Sequence, residues 1–169
     1  CAVHTRQSPV RNGKARTPTV NAPQCIAPAK HTVHPVLNTV GYKTAPVGKW
    51  HLGLGCPTEP LDWNDKIAPG PQQLGFDYSF HMAATGDRVP TVYIQNGYIF
   101  GLDRNDPVEV SYQAQVGDKP TGLSHPHLLK NQADEQHAKT IVDGTSRIGW
   151  MDGGEEALWT DAGMPDDVL

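Results

Sequence analysis

Not one acidic side chain occurs between Cys1 and His51, although seven lysines and arginines do. From Leu52 onward the balance reverses, with seven Lys/Arg against 18 Asp/Glu, so the formal net charge of -4 hides two opposed stretches. A cationic stretch that leads into a site favours an anionic ligand; the same charges also serve to face acidic stretches within a fold. The acidic remainder repels a phosphate backbone, which argues against nucleic acid as the partner. No apolar run approaches the ~20 residues that a membrane-spanning helix needs. The chain begins with Cys1, without an initiating Met or a leader pattern. Cysteine is scarce: Cys1, Cys25 and Cys56 are an odd number without metal-site spacing, so neither a disulfide framework nor a compartment is readable from them. Apolar residues reach only 37%, against about 45–50% in ordinary domains. There is no internal repeat and no low-complexity tract.

What the chain does have is glycine and proline, 17 and 15 in 169 residues, enough for one domain built largely from connections. Residues 1–30 show no periodicity and read as extended loop. His31 to Val40 carries Val33, Val36, Leu37 and Val40 at helical spacing, with Gly41 where a C-cap belongs. Tyr42 to Val47 reads as a short buried strand, and Gly48 to Gly55 as the loop leaving it. Helix, glycine, strand and polar loop in that order are the grammar of an α/β sheet. Gly75 to Phe80 reads as a second strand. Val89 to Ile94 and Tyr98 to Leu102 flank Gln95-Asn96-Gly97, a hairpin signal. Leu128 to Ala138 is expected to be partly helical, Ile141 to Gly154 irregular, and Glu155 to Trp159 a single helical turn. Met164 to Leu169 reads as the first turn of a helix whose body is missing, which makes the chain an internal piece of something longer.

Chemistry concentrates at Lys49 and His51. Two apart on an extended loop, they project to one side. An ammonium supplies a point charge and an imidazole a directional donor, a pair suited to a tetrahedral oxyanion. Trp50 between them is expected in the core, and Gly48 and Gly53 admit backbone shapes that other residues resist. On the tripeptide alone, a surface lysine beside a satisfied histidine reads as well. Asp87 and Arg88 follow the small-residue loop Ala83-Ala84-Thr85-Gly86. They suit an acidic substrate group and a substrate hydroxyl or ammonium, or pair with each other to order the loop. His137 is the further candidate for the same cleft, against a plain solvated histidine.

Gly41-Tyr42-Lys43-Thr44-Ala45-Pro46-Val47-Gly48-Lys49-Trp50-His51-Leu52-Gly53 resembles the second signature of the sulfatases, a Gly-Tyr-x-Thr element followed by Gly-Lys-Trp-His-Leu-Gly. Gly75-Phe76-Asp77-Tyr78 is similar to a further element of that family, and the stretches around Asp87-Arg88, Gly101-Leu102-Asp103 and Ser146-Arg147-Ile148-Gly149 resemble a bacterial arylsulfatase subgroup. The resemblance implies an alkaline-phosphatase-like α/β fold, a mixed sheet flanked by helices. Residues 1–169 would form a loop-rich part of its catalytic domain, incomplete at both ends and inactive alone. It implies that Lys49 and His51 hold a sulfate ester, with His51 as secondary acid, and that Asp87, Arg88 and His137 bind substrate. It implies Ca²⁺ with ligands outside this stretch, and a formylglycine nucleophile made within Cys-x-Pro-Ser-Arg. Neither Cys1 nor Cys25 stands in that motif, so the modified residue is expected upstream of Cys1, and Cys25 lies too close to Lys49. The expected reaction is hydrolysis of a small-molecule or carbohydrate sulfate monoester by an exported protein (periplasmic, lysosomal or secreted). No membrane or nucleic acid is involved, and a homo-oligomer is left open. The alternatives are a phosphodiesterase or phosphonate monoester hydrolase of the same superfamily, and a non-catalytic anion- or glycan-binding protein.

Overall fold

The computed structural model describes residues 22–27 and 31–164. The helix expected from Met164 to Leu169 and the surroundings of Cys1 therefore lie outside the described residues, Met164 excepted. The chain divides into two units: residues 1–84 with 94–98, and residues 85–93 with 99–169.

The first unit opens on helix α1, Val33–Thr39. Gly41, at φ 88°, ends it: Gly41 N donates to Asn38 O and Tyr42 N to Leu37 O, each at 3.1 Å. This paired closure is the Schellman pattern, and it matches the cap read from the sequence. The aliphatic stripe, however, is not the buried face. Val36 and Val40 are 62% and 68% exposed, whereas Thr32 and His34 are buried. Thr32 Oγ1 donates to Leu74 O at 2.5 Å, and the His34 ring lies 3.6 Å from that of Phe76, so polar and ring contacts orient this two-turn helix.

Strand β1 is Val47–Lys49, not Tyr42–Val47, and its side chains alternate between exposed and half-buried. Strand β2 is Phe80–Met82, later than the sequence suggests, and it runs parallel to β1 with Val47 opposite Phe80 and Lys49 opposite Met82. The register is set upstream of both strands. Thr44 N donates to the Asp77 carboxylate at 2.9 Å, and Asp77 N returns a bond to Thr44 O at 2.9 Å. Lys43 Nζ closes the clasp on Asp77 at 2.9 Å and, with the Thr44 amide, holds that carboxyl below its ordinary pKa. The Gly-Tyr-x-Thr and Gly-Phe-Asp-Tyr elements are thus two halves of one clasp, which occupies the backbone of 75–79 and delays the strand to Phe80. Strands β3 (Tyr93–Gln95) and β4 (Tyr98–Ile99) continue the sheet in the order β1-β2-β3-β4. Asn96 and Gly97, at φ 51° and 88°, form their turn as the Asn-Gly pair predicts. In the core of this unit Trp50, Leu54, Ile67, Leu74, Phe76 and Ile94 are buried.

The second unit is built from short pairs. Strand β5 (Glu109–Ser111) pairs antiparallel with β8 (Trp150–Asp152), and β6 (Ile141–Val142) with β7 (Thr145–Ser146). Residues 141–154 are therefore not irregular. Asp143 and Gly144, at φ 50° and 69°, make a second two-residue hairpin turn. Residues 128–138 lack the expected helix and contribute one residue to a 3-10 turn, Pro126–Leu128; the other expected turn is present as Glu155–Ala157. Val92, Met151 and Trp159 pack in this core. Gly149, at φ 92°, lies so close to Tyr112 and Val89 that any Cβ there would overlap both. The architecture is mixed α/β with few helices, as the resemblance implies.

Candidate sulfate-binding loop

Lys49 is the last residue of β1 and is exposed; among the described residues it makes no ion pair. The loop after it is held from two sides. Trp50 N donates to Met82 O at 3.1 Å and His51 N to Ala83 O at 3.2 Å, extending the register of β2. Trp50 itself is buried, with Nε1 donating to Gly53 O at 2.9 Å and its ring edge-on to Phe76 at 6.1 Å. On the other side Cys25 N donates to Leu52 O at 2.8 Å, Gln24 N to Gly55 O at 3.1 Å and Leu54 N to Ala22 O at 3.2 Å. A Cβ on Gly53, at φ 76°, would collide with the Pro23 carbonyl, so glycine is required there.

His51 is half-buried at φ 50°, a left-handed conformation uncommon outside glycine that Asn, Asp and His enter more readily than other residues. The side-chain alternation of an extended loop therefore does not apply to it, and the two-apart argument from the sequence is replaced by this turn. Beneath the loop lies His81, opposite Gly48 in the sheet and 5.7 Å from the Trp50 ring. Its Nδ1 is 3.1 Å from Met82 O, while Nε2 is buried without a partner among the described residues. Burial lowers its pKa to about 4, which keeps the ring neutral near pH 7.

In the second unit, Asp87, Arg88 and His137 come together. His137 Nε2 lies 3.3 Å from Asp87 Oδ2, and its Nδ1 2.8 Å from Asp134 Oδ2. The Arg88 Nε lies 3.8 Å from Asp87. Asp134 chiefly, with Asp87, raises the His137 pKa against partial desolvation. Burial works against ionisation of Asp87, yet hydrogen bonding, His137 and the Arg88 charge together hold its carboxyl below the ordinary value. The ordering salt bridge and the two-carboxylate histidine are both present. Among the described residues no group of three or more His, Cys, Asp or Glu is placed to hold a metal, so the Ca²⁺ of the resemblance finds no ligand set there.

No family model matches the chain. An N-acetylgalactosamine-6-O-sulfatase of Bacteroides thetaiotaomicron is 48% identical over 148 residues, 88% of this chain. A solved sulfatase structure, described under the metabolism of multiple glycosaminoglycans by the same organism, superimposes with a TM-score of 0.91 at 44% identity over 99% of the chain. The chain belongs to the sulfatases. It spans 29% of the length of the first relative and 35% of the second. Its architecture is therefore part of an alkaline-phosphatase-like fold.

Three features of this sulfatase chain escaped the sequence reading. Cys25, set aside for its proximity to Lys49 in sequence, donates a backbone hydrogen bond to the loop that follows Lys49; nothing in its own flanks announces that. Asp134, the partner of His137, caps a turn by accepting from the Gln136 and His137 amides, and an Asp in such a polar loop is a usable signal. Arg147 was noted only as part of a resembling stretch and is a buried guanidinium with long-range contacts.

Proposed function

We propose that the protein bearing this chain hydrolyses a carbohydrate sulfate monoester, of the class represented by 6-O-sulfated N-acetylgalactosamine, and that Lys49 and His51 grip the sulfate. The observation that carries this is the exposed Lys49 ammonium, without an ion-pair partner among the described residues, on a loop fixed by buried Trp50 in sulfatase sequence. A fixed cation beside sulfate oxygens stabilises charge that grows as the ester bond to sulfur breaks. The His51 imidazole supplies the proton taken up by the departing alcohol oxygen. Water is consumed, and alcohol and sulfate are released. The chemistry of Asp87, Arg88 and His137 suits recognition of substrate hydroxyl and acidic groups. Any Ca²⁺ or formylglycine the reaction uses belongs to residues other than those described, and the roles given to Lys49 and His51 are written without them. Export of the protein belongs to the same proposal.

The test is sulfate release from 6-O-sulfated N-acetylgalactosamine by the full-length protein, beside an aryl phosphate diester. Sulfate release with little diester cleavage is expected, and Lys49→Met lowers kcat by about 10²–10³. A preference for the diester, or a Lys49→Met variant as fast as its parent, refutes the proposal.

A further inference from the structure

Arg147 is 2% exposed, yet it carries a full positive charge. A guanidinium taken from water needs partners, and this one finds them at both terminal nitrogens, while its Nε has none among the described residues. Nη2 donates to Val142 O at 3.0 Å and to Asp161 Oδ1 at 2.9 Å, and the charge sits 4.9 Å over the Trp159 ring. Those contacts settle the charge within its own neighbourhood. The remaining arm does something else: Nη1 donates at 2.7 Å to the carbonyl of Gly86, 61 residues away in sequence and one residue before Asp87.

The backbone beside Arg147 repeats the grip. Ile148 N donates to Asp87 O at 2.8 Å and Val89 N to Ile148 O at 3.2 Å, with Arg88 and Ile148 as a parallel bridge. Within the loop, Arg88 N turns back to Thr85 O at 3.1 Å. Residues 86–89 are thus fastened from behind by 147–148, while the side chain of Asp87 meets His137 and Arg88.

We infer that Arg147 is the positioning residue of the Asp87–Arg88 loop: its forked guanidinium fixes where the Asp87 carboxylate stands and so sets substrate recognition by that carboxylate. This rests on the proposed role of Asp87. Lysine keeps the charge but has no planar fork, so it cannot serve Gly86, Val142 and Asp161 together.

The experiment follows the ring of His137 by NMR titration and KM by sulfate release in the full-length protein, with His137→Gln assigning the resonance. Asp87→Asn removes one of the two carboxylates facing His137, the other being Asp134, and lowers its titration midpoint. Arg147→Lys is expected to lower the midpoint in the same direction, by about half a unit or more. The double variant falls no further than Asp87→Asn alone, since the two changes act through one contact. KM rises about tenfold in each single variant, with kcat changed far less. Asp161→Asn keeps the Gly86 contact, so it lowers the thermal midpoint but leaves the His137 titration unmoved. An Arg147→Lys protein with parental titration and KM overturns the inference. So does an Asp161→Asn protein whose titration shifts as Asp87→Asn does, which decides the matter even where Arg147→Lys does not fold. If instead Asp87→Asn moves the titration but not KM, the substrate role of Asp87 falls and the positioning by Arg147 stands.

Discussion

His81 shows how one buried ring ties stability to acidity. Its pKa, lowered to about 4 from 6.5, means that the unfolded chain takes up a proton at a pH where the folded chain refuses it. Stability is therefore complete above pH 6.5 and drains away as the pH falls toward 4, by about 3 kcal/mol in all. His81→Asn keeps a donor for Met82 O without the titration. Urea midpoints of parent and variant are expected to diverge between pH 6.5 and pH 4, the parent losing more; parallel curves refute the assignment. None of this was legible at residue level, because a histidine among apolar neighbours looks the same whether it is buried or wet. Lys49 and His51 are singled out by the resemblance of residues 41–53, because on the tripeptide alone a surface lysine beside a satisfied histidine reads as well. The left-handed turn at His51 was not legible, because it follows from bonds to Ala83 and from Cys25 beside Leu52, both contributed by distant chain.

At the scale of elements, turns were easier to read than strands. Asn96-Gly97 specified its hairpin through two positive φ values that few other pairs tolerate. Asp143-Gly144 carries the same signal, but flanking strands of two residues each offer no alternating run for a sequence to display. The strand boundaries failed for another reason: the Asp77–Thr44 clasp spends backbone groups that a ladder would use, and that competition is invisible without the fold. Gly97 also accepts a 2.7 Å hydrogen bond from Ile67 N, and an added Cβ would press on Ile67 O at 3.2 Å. Gly97→Ala is accordingly expected to cost about 1 kcal/mol or more, read as a lower denaturant midpoint at unchanged slope. An unchanged midpoint would mean that the turn does not fix the register.

For the molecule as a whole, residues 94–98 belong to the first unit while their neighbours in sequence belong to the second. Asn96 bonds Ser79 twice through its amide and side chain, N to O at 3.0 Å and Ser79 N to Oδ1 at 2.9 Å, and its Oδ1 also accepts from Gln72 Nε2 at 3.3 Å. A polypeptide ending at Ala84 lacks those anchors as well as the Gly97 bond to Ile67. Its circular-dichroism melt is expected to show no cooperative transition; a sharp one would prove the 94–98 segment dispensable. Fold class was legible from element order, whereas this interleaving was not, because composition does not change at 84, 93 or 98.

That threading bears on how such a chain is inherited. No single crossover between two related genes separates the two units cleanly, since every breakpoint that keeps 94–98 with the rest of its unit also carries 85–93 along. Selection on the lysine loop and on the arginine-held loop is thereby linked, and the two are expected to co-vary in descent as one block.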